Sequence, residues 1–186
     1  MAKRGLDPDV TRENIRLAAA QLFMSNGVHA SSLADIALAA GLSKGTLYYH
    51  YPTKENLVLE IAQAHFTSIT EDMYRWIDLL RENTNARDAI EALSMALIQE
   101  PDRLYLHFAL LTETMRENGA LSSLLQTKQK EWSVLLEVGA LKMTGPGAKR
   151  FSQYCGLYFS LLDGVALHRL LGETLSIEQL IELMME

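Results

Sequence analysis

The sequence predicts an all-α fold in which a group of short helices at the amino-terminal end precedes a series of longer ones. Apolar residues recur with the 3.6-residue period of an amphipathic helix along almost the whole chain. Alternation of Val, Thr and aromatic residues, which would favour strands, is nearly absent, and the 186 residues include only 4 prolines. With 48% hydrophobic and 22% charged residues, the composition is typical of a globular chain.

The first two helices are predicted from their start and stop signals. Asp7-Pro8 offers an N-cap followed by proline at the first helical position, and the apolar stripe that follows ends at Asn26-Gly27. Ser32 and Asp35 have the spacing of a capping box, which predicts a second helix that Gly41 stops.

The third predicted helix is about two turns long. Ser43 caps it, and it covers residues 44–50. It ends near Tyr51, because Pro52 disfavours helical geometry in the residue before it. Thr53 then caps a fourth helix that extends to about residues 81–83. Further helices are predicted over residues 86–99, 101–117, 122–141 and 148–171, and from residue 176 onwards.

Charge is distributed unevenly along the chain. Residues 1–55 carry a net charge of +1 and the remaining residues carry −7, which together give the net charge of −6. The first third is therefore the candidate surface for a polyanion. The single cysteine, Cys155, excludes an intramolecular disulfide, and the sequence shows neither a secretory signal nor an apolar segment long enough to span a membrane. We expect a cytoplasmic protein that makes no contact with a membrane.

Residues 32–54 have the spacing of a helix-turn-helix, with the turn at Gly41-Leu42-Ser43. The second helix begins with small and polar residues, which allow a backbone to approach the major groove of DNA, and ends with hydroxyl and imidazole donors. Lys54 adds a charge at the start of the fourth helix, where free N–H groups favour phosphate. The predicted DNA-binding residues are Ser43, Lys44, Gly45, Thr46, Tyr48, Tyr49, His50 and Lys54.

The segment from Gly41 to Leu57, GLSKGTLYYHYPTKENL in one-letter code, resembles the DNA-binding domain of the TetR family of bacterial transcriptional regulators. The resemblance extends back through residues 15–23, Gly27 and residues 32–37, and covers roughly residues 9–62. The family usually has Phe where Tyr51 stands. We expect the ring of Tyr51 to pack between the third and fourth helices and its hydroxyl to remain near solvent.

The resemblance implies a DNA-binding domain over residues 1–54 and a helical effector-binding and dimerisation domain over residues 55–186. It also implies a homodimer formed by the last two long helices and a cavity for a small apolar effector among the middle helices. The candidate residues of the dimer interface are Tyr158, Leu161, Leu162 and Val165. The candidate walls of the effector pocket are His65, Met73, Trp76, Tyr105, Phe108, Met115, Trp132 and Phe159.

Other interpretations of these motifs remain. Helix-turn-helix spacing alone also fits a structural corner between two helices. The spacing Gly41-x-Ser43-x-Gly45 matches the nucleophile elbow of serine hydrolases, but that elbow requires a preceding strand, and here an Ala-rich helix precedes it. No His-x-x-x-His or Glu-x-x-His pair brings two ligands onto one helical face, so we expect no metal site. We also expect no cofactor and no catalysis.

The sequence allows two interpretations of the role of several single residues. Glu113 and Asp163 interrupt apolar segments, and each suits either a polar anchor in a pocket or an ion pair at an interface. Cys155 fits an inert core position or a redox sensor. Lys3 and Arg4 form either a solvated tail or a flexible arm that follows the DNA backbone.

We therefore predict a dimeric repressor that binds a palindromic double-stranded operator and is released by a small molecule. Induction would act through the fourth helix, because that helix begins at Lys54 and extends past His65, Met73 and Trp76. The alternatives are a helical small-molecule-binding protein without operator recognition, or a family member that activates transcription or acts without a ligand.

Overall fold

A computed structural model of the protein describes residues 7–81, 84–116, 119–173 and 176–185, and these residues are helical almost throughout. The predicted all-α fold is confirmed. Lys3 and Arg4 lie outside the described residues. In chain order the elements are α1 (Pro8–Asn26), α2 (Leu33–Ala39), α3 (Lys44–His50), α4 (Lys54–Leu79), β1 (Thr84–Asn85), α5 (Ala86–Ile98), α6 (Pro101–Arg116), α7 (Ala120–Leu141), β2 (Met143–Thr144), α8 (Pro146–Tyr154), α9 (Tyr158–Leu170) and α10 (Ile177–Met185).

The prediction of one long helix over residues 148–171 is wrong, because a 3-10 turn at Cys155–Leu157 separates α8 from α9. Gly156 lies in the middle of this turn, and glycine has a low helix propensity. Helix α8 begins at Pro146, where the fixed backbone angle of proline suits the first helical position. The preceding Gly145 adopts a φ of 93°, which favours glycine.

The short strands β1 and β2 are a feature that the sequence analysis did not predict. They pair in parallel, with Thr84 opposite Met143 and Asn85 opposite Thr144. Two residues in each strand are too few for a period-2 pattern to be visible in the sequence. The pairing joins the beginning of α5 to the end of α7.

The described chain forms two compact units. The first contains the residues up to His65 together with Tyr105–Ser123, and the second contains Phe66–Leu104 and the residues from Leu124 onwards. These units differ from the predicted segments 1–54 and 55–186, whose separate roles stay a prediction.

Each unit has its own apolar core. The fully buried side chains of the first unit include Ile15, Ala19, Phe23, Ile36, Leu47 and Leu57. Those of the second unit include Phe66, Met73, Ile90, Leu93, Leu136, Phe151 and Ile181. In the part of the chain that is described, no helix is long and apolar enough to cross a membrane.

Candidate nucleic-acid interface

Helix α2 begins with a complete capping box. The Ser32 hydroxyl accepts a hydrogen bond from the Asp35 backbone N–H at 3.2 Å, and the Asp35 carboxylate accepts one from the Ser32 N–H at 3.1 Å. Hydrogen bonds from the hydroxyl and the N–H of Ser32 hold the pKa of Asp35 below its ordinary value. After α2, Gly41 turns the chain with a φ of 67°. The predicted short helix and its stop are therefore both present.

The recognition-type helix α3 is capped at one end and anchored in its middle. The Ser43 hydroxyl accepts a hydrogen bond from the Thr46 N–H at 3.1 Å and lies 2.8 Å from the Thr46 hydroxyl. Leu47 is fully buried in the core of the first unit. Ser43 and Thr46 thus shape the start of α3, in addition to any contact with DNA.

The opposite face of α3 is open to solvent. Lys44 and Gly45 are exposed, and the Tyr48 and Tyr49 side chains are 50% and 83% exposed. The space around Gly45 is open, since an added Cβ would meet only the Ser43 hydroxyl at 3.8 Å. His50 is half-buried, and its ring contacts Tyr49 edge-on. Exposed tyrosines beside a lysine and a glycine form a surface that can approach a nucleic acid closely.

Lys54 has a structural role that the sequence did not reveal. Its Nζ donates hydrogen bonds to the backbone carbonyl oxygens of Val28 at 3.0 Å and His29 at 3.3 Å. These carbonyls belong to the turn between α1 and α2. Lys54 therefore ties the start of α4 to this turn, and its predicted contact with phosphate stays a prediction.

Tyr51 and two partners join three helices. Its hydroxyl donates a hydrogen bond to Oε1 of Glu60 at 2.8 Å, and Arg12 pairs with Oε2 of the same carboxylate at 2.5 Å. The Arg12 guanidinium also lies over the Tyr51 ring, 5.4 Å from its centre. Burial raises the pKa of Tyr51, whose side chain is only 2% exposed. The expectation that this hydroxyl remains near solvent is wrong, because the Tyr51 side chain is buried and its hydroxyl donates a hydrogen bond to the Glu60 carboxylate.

Sequence reasoning missed Glu60 and Arg12 as partners of Tyr51. The available signal was the tyrosine itself, since a buried hydroxyl needs a hydrogen-bond partner. Glu60 lies nine residues further along the chain, and Arg12 lies in a different helix.

Of the predicted effector residues, His65, Tyr105, Phe108 and Met115 lie in the first unit. The two buried imidazoles of His65 and His107 are hydrogen-bonded, with Nε2 of His65 3.0 Å from Nδ1 of His107. Tyr105 and Phe108 line a surface groove, whereas Met115 is 79% exposed. The structure therefore brings Tyr105 and Phe108 together and leaves Met115 in solvent.

Met73, Trp76, Trp132 and Phe159 lie in the second unit. The Trp132 indole N–H donates to the Thr70 hydroxyl at 2.9 Å, and its ring centre lies 5.0 Å from that of Phe159. Trp76 donates to the backbone oxygen of Ala89 at 2.7 Å. Both indoles thus have their polar atoms satisfied within the chain, as buried indoles require.

Gly139 makes the position of Trp76 possible. A Cβ at residue 139 would stand 2.2 Å from the Trp76 ring, so only glycine fits there without movement. The sequence analysis did not single out this glycine, which lies inside α7. A glycine inside an otherwise apolar helix was the signal that could have indicated a close approach.

The predicted dimer residues are mostly core residues of the second unit. Tyr158, Leu162 and Val165 are buried within the chain, and Leu161 is half-buried. The Tyr158 hydroxyl lies 2.9 Å from that of Ser94, and burial raises the pKa of Tyr158. These residues therefore offer little surface to a partner. A helix that is apolar on all sides does not indicate which face is covered by its own chain.

A different set of apolar residues is exposed on α7 and along α9 and the turn before it. Leu157, Leu167 and Leu171 follow one helical stripe, and Ser160 and Gly164 lie between them. The exposed apolar residues of α7 are Val134, Val138 and Leu141.

The remaining candidates are a metal site and a reactive thiol. Among the residues that the structure describes, no three His, Cys, Asp or Glu side chains group as metal ligands do. Cys155 is buried, its Sγ lies 3.4 Å from the Ser152 carbonyl oxygen, and burial raises the pKa of its thiol. These features favour the inert core position over the redox sensor.

Comparison with known proteins agrees with this geometry. Residues 15–61 match the family model described as bacterial regulatory proteins, tetR family. The chain is 29% identical over 128 residues to the HTH-type transcriptional repressor KstR2 of Rhodococcus jostii, a match that covers 65% of this chain and 61% of the relative. The match thus spans less than two thirds of the length of that relative.

Solved structures share the whole architecture. A transcriptional regulator from Rhodococcus sp. RHA1 has a TM-score of 0.75 at 15% identity, with 94% of this chain and 93% of the other covered. A regulator from Saccharomonospora viridis in complex with choline has a TM-score of 0.68 at 20% identity, with 95% and 94% covered. Residues 15–61 are thus similar to the helix-turn-helix segment of the tetR family of bacterial regulatory proteins, and the chain shares the helical fold of solved transcriptional regulators.

Proposed function

We propose that this protein is a ligand-responsive transcriptional repressor that binds a palindromic operator as a homodimer and is released by a small molecule. The observation that carries the proposal is the exposed face of α3. This face exposes Lys44, Gly45, Tyr48 and Tyr49. The helix itself is anchored by the buried Leu47 and capped by Ser43. Such a protein acts in the cytoplasm, where its DNA partner lies.

The chemistry of this face suits DNA. Gly45 lets the backbone of α3 come close to the groove, and Lys44 supplies a charge for a phosphate or a base edge. The hydroxyls of Tyr48 and Tyr49 can donate to phosphate oxygens, which positions the helix without reading the sequence. Affinity would then depend steeply on salt, as counterion release requires.

Dimerisation is supported by the exposed apolar residues of the second unit. Leu157, Leu167 and Leu171 form a stripe in which Gly164 would let a second helix approach closely. We propose this stripe, together with the exposed valines of α7, as the dimer interface. Two recognition helices must then lie about 34–36 Å apart to read successive turns of a palindrome.

Release by a ligand is supported by the kind of protein that the chain resembles. The relative KstR2 is a repressor, and one structural neighbour holds choline. A coupling free energy of about 1–3 kcal/mol, typical of allosteric proteins, would lower operator affinity about 5- to 150-fold. Linkage requires that operator weakens ligand binding by the same factor.

The test of operator binding is fluorescence anisotropy with a labelled duplex taken from beside the protein's own gene. We expect tight binding, a weaker signal with an unrelated duplex, and a salt dependence that flattens by about one ion in Lys44→Ala. Lys149→Ala is the matched control, since it removes the same charge from an exposed position on α8. Equal affinity for every duplex would contradict operator recognition and favour a helical small-molecule-binding protein.

The test of ligand response begins with a thermal-shift screen of small apolar compounds, including indole, octanol and decanoic acid. A stabilising compound is then titrated by calorimetry with and without saturating operator. We expect weaker binding in the presence of operator, because the ligand must prefer the released state. Equal affinities would show that ligand and operator are uncoupled, and the ligand-responsive part of the proposal would fail.

A further inference from the structure

The first unit contains a surface groove of about 460 Å³ that is lined by two of the predicted effector residues, Tyr105 and Phe108. The last turn of α1 and the turn after it form one wall, and one face of α6 forms the other. The groove exceeds the smallest volumes of known small-molecule sites. Its chemically distinctive lining residues are Phe23, Tyr105, Phe108, Glu113 and Arg116.

Aromatic rings dominate the apolar part of this groove. The Tyr105 side chain is 46% exposed and that of Phe108 is half-buried, while Phe23 is buried beneath the surface. Tyr105 and Phe108 both belong to α6. The face of an aromatic ring attracts a cation, because the ring quadrupole is negative above and below its plane.

The Phe108 ring is held in place from behind. It lies edge-on to the His107 ring at 77°, with the ring centres 5.7 Å apart. His107 is in turn hydrogen-bonded to His65 on α4 at 3.0 Å. The contact with His107 and its partial burial limit the freedom of the Phe108 ring, which lowers the entropic cost of binding against it.

One carboxylate faces the same groove. Glu113 is half-buried in its wall, and in the described part of the chain it pairs with no basic side chain. Met24, Asn26 and Gly27 bring the end of α1 to the groove. Helix α1 has no basic residue in its last turn, but the Lys54 ammonium binds the Val28 and His29 carbonyls just beyond its end, so the negative end of the helix is already partly compensated.

Arg116 is the one cationic side chain among the lining residues. It is exposed and lies three residues after Glu113, at the last residue of α6. A long exposed side chain can move into solvent at little cost, whereas Glu113 and Phe108 are half-buried in the wall. The half-buried Glu113 carboxylate and the aromatic rings thus favour a cation, and the exposed Arg116 side chain opposes it.

We propose that this groove binds an organic cation, with its ammonium group beside Glu113 and its apolar body against Tyr105 and Phe108. The rings of Tyr105 and Phe108 attract a cation and contact apolar groups, and the Glu113 carboxylate balances one positive charge. These features suit a quaternary or tertiary ammonium group attached to an apolar group. Of the predicted effector residues, this site uses Tyr105 and Phe108 of the first unit, whereas the indoles of the second unit already have hydrogen-bond partners. It does not depend on operator binding, so its test uses no DNA.

The experiment is calorimetric titration of the full chain with three probes of similar size: benzyltrimethylammonium, benzyl alcohol and benzoate. We expect the cation to bind and the neutral alcohol to bind at least about tenfold more weakly, because charge-assisted contacts are much the stronger. Benzoate should not bind. Affinity for the cation should fall as salt is raised.

Variants then assign the contacts. Glu113→Gln should weaken cation binding about tenfold, and the control Glu91→Gln, in a different groove of the second unit, should leave it unchanged. Tyr105→Phe keeps the ring and should bind as the parent does, whereas Tyr105→Leu should bind about threefold more weakly. Arg116→Ala should strengthen binding, since it removes a like charge. The melting temperature of each variant verifies folding, and the exposed positions 105 and 116 tolerate change.

Three results would overturn the proposal. Absence of cation binding at millimolar probe would exclude the site. Binding of benzoate that Arg116→Ala abolishes would make it an anion site. Equal cation affinity in Glu113→Gln and the parent would place the ligand elsewhere.

Discussion

The Tyr51 hydroxyl lies 2.8 Å from Oε1 of Glu60 and donates a hydrogen bond to it. Tyr51 caps the carboxyl end of α3, and Glu60 lies in α4, so this bond attaches the end of α3 to the helix that follows. Arg12 of α1 pairs with the other oxygen of the same carboxylate. One glutamate thus receives a hydrogen bond from α1 and another from the cap of α3.

Replacement of Tyr51 by Phe should weaken this attachment. The ring still fills its buried position, but Glu60 loses one donor, so we expect the free energy of unfolding to fall by about 1 kcal/mol in urea titrations. Tyr48→Phe, which removes an exposed hydroxyl, is the control and should change stability little. A double-mutant cycle with Glu60→Ala, which removes the acceptor, measures the coupling directly. No coupling in that cycle would show that the bond contributes nothing.

Replacement of Lys54 by Ala should have two effects. It removes the hydrogen bonds to the Val28 and His29 carbonyls, so we expect about 1 kcal/mol less stability. An ammonium has three donors, and the third remains available for phosphate. Operator affinity should therefore fall for all duplexes, with a salt dependence flatter by about one ion.

The two effects of Lys54→Ala are measured separately, by thermal unfolding without DNA and by anisotropy over a range of salt. Lys44→Ala serves as the comparison, because its exposed side chain should alter the salt slope and leave the melting temperature unchanged. An unchanged slope in Lys54→Ala would remove Lys54 from the phosphate contacts.

The capping box of α2 predicts a pH dependence. The pKa of Asp35 is lowered from its ordinary value of 3.8 by the Ser32 hydrogen bonds, so its ionised form is favoured in the folded state. This contribution is fully present above the ordinary pKa and is lost as the pH falls through the lowered one. The parent should therefore be more stable than Asp35→Asn at pH 7, and the difference should shrink below about pH 4. Ser32→Ala should reproduce the effect, and a difference independent of pH would contradict it.

The exposed stripe on α9 predicts the effect of a charge on assembly. Leu167→Glu should dissociate the dimer, because it places a carboxylate in an apolar interface. Leu183→Glu, at a comparably exposed position on α10, should leave the dimer intact. Light scattering at micromolar concentration gives the mass of each. A parent protein that is monomeric at this concentration, or a dimeric Leu167→Glu variant, would move the interface elsewhere.

The sequence by itself determined the local features of this protein. Helix starts and stops depend on residues a few positions apart, so Ser32 with Asp35, Ser43 and Gly41 indicated α2, α3 and the turn between them. The exposed face of α3 could be predicted from the same short segment. The helical spacing places Leu47 on the buried face, and Tyr48 and Tyr49 are exposed.

Only the tertiary structure decided which residues meet across helices. Tyr158, Leu162 and Val165 looked like partner surface, but their own chain covers them, since a helix that is apolar all round can bury any side. The bond from Lys54 to the Val28 carbonyl and the approach of Trp76 to Gly139 join residues 26 and 63 positions apart. Such contacts depend on the packing of whole helices, which a local pattern does not encode.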